Sequence, residues 1–173
     1  MNTTISIAPA RRALVSTLTA VLALGVASIS DSGFAQQRVT RDQLVGMWTL
    51  VSCTDANGGT PAQCVNPNGR MMLNATGQYM YTIAPRGRPK CSTGACGAQQ
   101  MSGDQWKAAT QGVVSDFGNW SFNDADQTVT RFHEASLNPN NEGSQFKNKV
   151  SLTSDDLRTV NDAGGTQTWR RVR

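Results

Sequence analysis

The chain contains few side chains that could carry out reaction chemistry, and two of them are adjacent. His133 is the only histidine in 173 residues, and Glu134 follows it directly. Such a pair could transfer protons or contact a polar ligand. Both lie in a β-rich run over 128–137, where neighbouring side chains point to opposite faces. One face carries Arg131 and His133 and the other carries Glu134, so without a β-bulge only one member of the pair can line a pocket.

The residue types in the chain also disfavour other kinds of reaction chemistry. With one histidine and no Gly-x-Ser-x-Gly sequence, the chain lacks the usual ingredients of a Ser–His–Asp hydrolase. Its four cysteines show no Cys-x-x-Cys spacing, and one histidine is too few for the usual zinc ligand sets. We therefore predict no metal site and no cofactor.

The amino terminus has the pattern of an export signal. Two arginines precede an apolar run over 13–29, and small residues follow that run. The pattern predicts cleavage after Ala35, which makes 1–35 the signal peptide and 36–173 one mature domain. An uncut membrane anchor is the alternative, but the run is short for a bilayer span. We expect a periplasmic or secreted protein without a membrane anchor.

The cysteines are consistent with export. An even number of cysteines in an exported chain indicates disulfides, and four cysteines allow three pairings. We favour Cys53–Cys64 together with Cys91–Cys96, because each pair flanks a loop rich in glycine, proline or asparagine.

The basic residues are scattered along the chain, although its formal net charge is +4. That distribution argues against nucleic-acid binding, which uses clustered basic residues.

The hydrophobic pattern predicts an all-β fold. One helix is predicted over 102–114, with Ser102 as its cap, inserted after the third strand. Eight strands joined mostly by tight turns would close into an up-and-down antiparallel barrel. A β-sandwich is the competing architecture, and it is less favoured because the connections resemble consecutive hairpins. The predicted strands are 47–54, 70–74, 78–84, 117–122, 128–137, 145–152, 157–160 and 166–171.

Three segments resemble the bacterial lipocalin-like domain family, which has a calycin-type β-barrel. They are 44–52, which contains a Gly-x-Trp sequence, 133–140, and the Trp-Arg-Arg sequence at 169–171. The three segments occur in order at the start, middle and end of a stretch covering about 41–173. The resemblance is specific for the fold and implies nothing about the identity of a ligand.

The resemblance also implies how one end of the barrel is closed. In the family, the tryptophan of Gly-x-Trp closes the barrel floor, which here assigns Gly46 and Trp48 to that role. An arginine on the last strand packs over the tryptophan. Arg170 or Arg171 would supply this cation–π contact.

A further implication of the resemblance concerns the strand over 128–137. The match at Glu134 and Ser136 favours placing Phe132, Glu134 and Ser136 inside the barrel. Glu134 would then be the best candidate for a ligand contact or an acid–base role, since a buried carboxylate tends to have a raised pKa. The alternative is that neighbouring hydroxyls or an arginine hold Glu134, which then only organises the barrel. For His133, we expect an ordinary side chain that is either exposed to solvent or hydrogen-bonded within the protein.

Aromatic residues are further candidates for lining a ligand-binding cavity. Tyr79 and Tyr81 share one face of their strand, as do Trp120 and Phe122. If they point inward, they present flat apolar surfaces with polar tips, which suits an amphipathic small molecule. Ordinary core packing is the alternative, especially for Trp120 and Phe122.

Three hypotheses for function follow. The leading one is an exported lipocalin-like protein that binds a small, largely apolar or amphipathic molecule in its barrel. The second is a cyclase or isomerase that uses Glu134 as general acid or base in the same barrel. The third is a protein-binding or inhibitor module that acts through disulfide-tied loops over 55–68 and 85–101; it predicts a filled barrel interior.

Overall fold

The described part of the chain, residues 38–90 and 101–173 of a computed structural model, forms a closed barrel of eight antiparallel strands. The strands are β1 (Gly46–Thr54), β2 (Gly69–Leu73), β3 (Gln78–Ile83), β4 (Val114–Asn123), β5 (Thr128–Ser136), β6 (Gln145–Thr153), β7 (Asp156–Asn161) and β8 (Thr166–Arg171). Also present are the helices α1 (Arg41–Leu44) and α2 (Gly103–Thr110), with 3₁₀ turns at Ala62–Cys64 and Pro139–Asn141.

The strand order confirms the predicted up-and-down barrel. Each strand pairs with the next one in the chain, and β1 pairs with β8 to close the sheet. A β-sandwich would leave two separate sheets, so that alternative is wrong. The barrel has no unpaired sheet edge, which removes a template for aggregation.

Helix α2 lies in the connection between β3 and β4, where the sequence predicted a helix. The Ser102 hydroxyl accepts a hydrogen bond from the Gln105 backbone N–H at 3.3 Å, as expected for a capping residue. The helix is shorter than predicted because Gly112 turns the chain with a φ of +71°. There the chain packs closely against Pro85 and Gln63, which leaves little room for a side chain.

One end of the barrel is sealed by the segment that precedes β1. Val39 donates its backbone N–H to the Gln127 side chain at 2.7 Å, and Arg41 donates to the Ala75 carbonyl at 3.1 Å. Gln127 and Ala75 belong to turns at this end, so the segment is tied across it. We call it the closed end.

Trp48 fills the barrel at the closed end and is completely buried. Its indole N–H donates to the Leu44 carbonyl at 2.9 Å, and the Arg171 guanidinium lies 4.2 Å from its ring centroid. Arg171 also donates to the carbonyl oxygens of Val45 and Gln43. Arg170 instead points outward and pairs with Asp156. Of the two arginines predicted as candidates, the structure therefore places Arg171 over the tryptophan.

The opposite end, which we call the open end, is built from four connections, three of which are longer than any at the closed end. They join β1 to β2, β3 to β4, β5 to β6 and β7 to β8. The predicted Cys53–Cys64 disulfide is present and ties the first of these connections to β1, with the two Cα atoms 5.5 Å apart. The predicted signal peptide over 1–35 and the predicted pair Cys91–Cys96 lie outside the described residues.

None of the helices in the two described ranges is long and apolar enough to cross a membrane.

Candidate functional site

A cavity of about 310 Å³ lies at the open end, within the mouth of the barrel. Three of the connections at this end contribute to its lining, those from β1 to β2, from β5 to β6 and from β7 to β8, together with inward-facing residues of the strands. The disulfide forms part of the wall, since both Cys53 and Cys64 line the cavity. The cavity is therefore a feature of the folded barrel and its loops together.

The floor of the cavity is a buried cluster of three ionisable side chains. Asp116 extends from β4, and Arg131 and His133 extend from β5; each is no more than 7 % exposed. Arg131 Nη1 donates to Asp116 Oδ1 at 3.2 Å, and His133 Nε2 lies 3.6 Å from the same oxygen. Charged groups are costly to bury unless they are paired, so Asp116 is what allows Arg131 to point inward.

Aromatic rings surround the buried guanidinium. The Arg131 Cζ atom lies 4.2 Å from the ring centroid of Tyr81, 5.4 Å from that of Tyr79 and 5.5 Å from that of Phe146. A guanidinium is only weakly hydrated and stacks well on aromatic faces, so these contacts offset part of its desolvation. The rings fix the guanidinium at the centre of the barrel.

His133 is held by the connection that follows β5. Its Nδ1 lies 3.1 Å from the Ser144 hydroxyl, and that hydroxyl donates to the Asn141 carbonyl at 2.5 Å. The backbone N–H of His133 also donates to the Ser144 carbonyl at 3.0 Å. The imidazole is therefore fixed between this loop and the Asp116 carboxylate.

The two tyrosines of the chain remain neutral across the physiological pH range. Burial raises the pKa of Tyr79, and the negative charge of Asp116 raises it further. Burial also raises the pKa of Tyr81, although Arg131 partly opposes this shift. The Tyr81 hydroxyl accepts a hydrogen bond from Gln167 Nε2 at 2.7 Å. Neither phenol contributes a charge to the site.

The predicted inward face of β5 is wrong for Phe132 and Glu134. Phe132 is 40 % exposed and Glu134 is exposed, whereas Arg131 and His133 are buried. The prediction rests on the family match at Glu134 and Ser136. It did not include the partner on β4 that compensates the Arg131 charge.

A β-bulge at Glu134 reverses the faces within β5. Gly118 pairs with His133 and Phe117 pairs with Ala135, so Glu134 is the extra residue. A Cβ at Gly118 would collide with the Phe132 carbonyl oxygen, so glycine is needed opposite the bulge. Beyond the bulge, Ser136 lies opposite the buried Asp116 and is half-buried.

The other predicted site residues occupy different parts of the barrel. Tyr81 lines the cavity, and Tyr79 lies against the buried cluster with its ring 6.3 Å from that of His133. Trp120 is buried, but it is near the closed end, where its indole N–H donates to the Asn74 carbonyl at 3.0 Å. Glu134 lies on the outer wall and accepts a hydrogen bond from Asn119. A general acid or base at Glu134 could not reach the cavity, which removes the basis of the proposed cyclase or isomerase mechanism.

Sequence reasoning did not identify Asp116, which is the residue that organises the site. A signal for it does exist, because Asp116 shares a strand face with the aromatic residues Trp120 and Phe122. A carboxylate on an otherwise apolar face predicts a buried cationic partner. Arg131 on the following strand fulfils that role.

Among the residues that the structure describes, no three His, Cys, Asp or Glu side chains converge in a way that could hold a metal ion.

Comparison with known proteins identifies the family. A family model described as a lipocalin-like domain matches residues 45–171. A solved structure of similar fold is a lipocalin-like protein from Bacteroides uniformis ATCC 8492, which is 16 % identical; the alignment covers 75 % of this chain and 98 % of that chain, with a TM-score of 0.46. No curated protein sequence matches the chain. The family match spans every strand of the barrel from β1 to β8, and the chain therefore belongs to the lipocalin-like domain family.

Proposed function

We propose that this protein binds a small amphipathic molecule in the cavity at the open end of its barrel. The observation that carries the proposal is the cavity itself, because its floor is polar and charged while parts of its wall are aromatic or aliphatic. Ligand sites in proteins combine apolar walls with a few convergent polar groups in this way. The barrel fold of the family is suited to binding in general, since eight strands enclose space for one small ligand.

The cavity volume limits the size of the ligand. About 310 Å³ is at the lower end of the range for small-molecule sites. Each water molecule takes about 30 Å³ of the liquid, so the cavity corresponds to on the order of ten non-hydrogen atoms. A long lipid would not fit inside it, whereas a small ring or a short branched chain would.

The chemistry of the lining refines the expectation of a largely apolar ligand. Tyr81, Phe146 and Val114 offer apolar contact, while Asn148 and Gln167 add hydrogen-bonding groups beside the charged floor. A purely apolar ligand would exclude water from these half-buried polar groups without offering them a hydrogen bond, which is costly. The ligand therefore has a polar group that reaches the floor and an apolar part that contacts the walls.

The open cavity favours this proposal over a module that binds proteins through its loops. That hypothesis predicted a filled interior, but about 310 Å³ is free at the open end. The loop over 55–68 contributes to the cavity wall through Pro61, Gln63 and Cys64, so its disulfide serves to shape the cavity.

We also propose that the protein is exported. The Cys53–Cys64 disulfide supports this, because such bonds persist in oxidising compartments and are rare in the cytosol. The test is the mass of the protein purified from its native host after cell fractionation. A periplasmic or secreted form beginning at Gln36 is the expected result, and an uncleaved cytoplasmic form would contradict export.

Native mass spectrometry of the protein purified from its native host tests the binding proposal. We expect a retained molecule of on the order of ten non-hydrogen atoms that is released on denaturation. The matched variants are Val114→Trp, which fills the cavity, and Phe117→Trp, which changes an exposed position on the same strand.

The two variants separate cavity binding from surface binding. Val114→Trp should lose the retained molecule, and Phe117→Trp should keep it. Retention by both variants, or a wild-type protein that carries no molecule and binds none of a library of compounds of this size, would overturn the proposal.

A further inference from the structure

We propose that the ligand is a small carboxylate, and that its carboxylate group pairs with Arg131 at the floor of the cavity. This inference rests on the proposed function and specifies its ligand class. The evidence is the set of hydrogen bonds that the buried side chains make, together with the donors of Arg131 that have no acceptor.

Most hydrogen-bond donors of Arg131 have no acceptor in the described part of the chain. A guanidinium has five N–H groups, and in Arg131 one of them, on Nη1, donates to Asp116. No other acceptor within the described ranges lies at hydrogen-bonding distance from this guanidinium. Arg131 lines the cavity, and its planar fork has the geometry that a carboxylate matches with two parallel hydrogen bonds.

The ionic groups at the floor are Asp116 and Arg131, since both tyrosines are neutral. Asp55 also lines the cavity, but it is exposed at the rim, and its carboxylate accepts hydrogen bonds from the backbone N–H groups of Asn57 and Gly59. A charge at the exposed rim is screened by water, whereas the Arg131 guanidinium at the floor acts at low dielectric and attracts an anion more strongly.

The aromatic part of the cavity wall indicates the chemical character of the rest of the ligand. The rings of Tyr81 and Phe146 lie beside the guanidinium, so the atoms next to a bound carboxylate would contact aromatic faces. With on the order of ten non-hydrogen atoms available, an aromatic or short branched monocarboxylate fits the site. Benzoate is a suitable probe, because benzamide has the same shape without charge and benzylamine carries the opposite charge.

The test is a ligand-observed NMR titration of the disulfide-intact protein with these three probes. Hydrogen bonds to charged groups contribute enough to favour benzoate over benzamide by about ten- to hundredfold in Kd. Arg131→Lys keeps the positive charge and removes the planar fork. It should reduce the preference for benzoate at least about fivefold, given the same range. Arg170→Lys, on the outer wall, is the matched control and should not change it.

Each outcome separates this inference from the proposed function. Equal binding of benzoate and benzamide would overturn carboxylate recognition and leave small-molecule binding intact. Tighter binding of benzylamine would also overturn it and would identify Asp116 as the group that recognises the ligand. If none of the three probes binds, the carboxylate inference fails, and the proposed function is judged separately by the molecule retained in native mass spectrometry. If Arg131→Lys fails to fold, the order of the affinities of the three probes for the unchanged protein decides the matter.

Discussion

Two arginines of this barrel make the same kind of aromatic contact at opposite ends. They differ in the number of hydrogen bonds that each guanidinium makes to the rest of the chain. Arg171 lies 4.2 Å from the ring centroid of Trp48 at the closed end, and Arg131 lies 4.2 Å from that of Tyr81 at the open end. Arg171 also donates to two backbone carbonyls, whereas Arg131 has a single hydrogen bond, to Asp116.

The difference shows how one interaction can serve either stability or binding. At the closed end, the segment before β1 crosses the barrel and supplies the carbonyl oxygens that Arg171 needs. At the open end, the connections leave a cavity of about 310 Å³, and Arg131 lines that space. The guanidinium is therefore structural where the chain itself supplies acceptors, and available for binding where it does not.

The largest expected effect comes from removing the aromatic partner at the closed end. Trp48→Ala should lower the free energy of unfolding by about 3–5 kcal/mol, because it leaves a large cavity under Arg171. Urea unfolding followed by circular dichroism measures this. The control is Trp106→Ala on α2, where the ring is 44 % exposed and the expected change is within about 0.5 kcal/mol. Similar losses for both variants would contradict the assigned role of Trp48.

The disulfide at the open end should have the next largest effect. Replacing both Cys53 and Cys64 with serine opens a short loop with a sequence separation of 11 residues. The chain-entropy relation gives a loss of about 3 kcal/mol in the free energy of unfolding. Because both cysteines line the cavity, the variant should also bind the retained molecule more weakly. Unchanged affinity at lower stability would show that the disulfide does not shape the site.

The two arginines should separate stability from affinity. Arg171→Met should lower the free energy of unfolding by about 2–3 kcal/mol, since it removes the cation–π contact and two hydrogen bonds to carbonyls. It should leave benzoate affinity unchanged. Arg131→Lys should show the reverse pattern, with the larger change in affinity. Thermal or urea unfolding and the NMR titration, performed on both variants, measure the two quantities; a loss of benzoate affinity in Arg171→Met would contradict the division of roles.

The smallest effect concerns the tyrosines at the buried cluster. Both phenols have raised pKa values in the folded protein, so the folded state keeps their protons at pH values where the unfolded chain releases them. Stability should therefore be unaffected by these groups below about pH 10 and should fall as the pH rises above it. Absorbance at 295 nm should show tyrosinate only well above pH 10 in the folded protein. Ionisation near pH 10 without unfolding would contradict the burial of both rings.

The sequence predicts the barrel well, because hairpin connections and strand alternation are local properties. The eight strands, the inserted helix capped by Ser102 and the Cys53–Cys64 disulfide all appear as expected. Trp48 and the arginine over it follow from a short motif that the family shares.

The site is less predictable because it depends on pairing between strands. Both faces of β5 mix polar and apolar residues, so alternation alone does not show which face points inward. The choice is decided by Asp116, which is 15 residues from Arg131 in the chain, and by the bulge at Glu134. Neither the charge compensation nor the bulge can be seen within β5 itself, and the prediction for Phe132 and Glu134 was wrong for that reason.

The most direct test of this account compares the two arginines in one experiment. Arginine side-chain Nε–Hε resonances can be recorded for the ¹⁵N-labelled protein and assigned with Arg131→Lys and Arg171→Lys. Addition of benzoate should shift the Arg131 resonance in a saturable manner and leave that of Arg171 in place. A shift of Arg171, or no shift of Arg131 at saturating benzoate, would contradict the claim that the open end of the barrel binds a carboxylate through its incompletely bonded arginine.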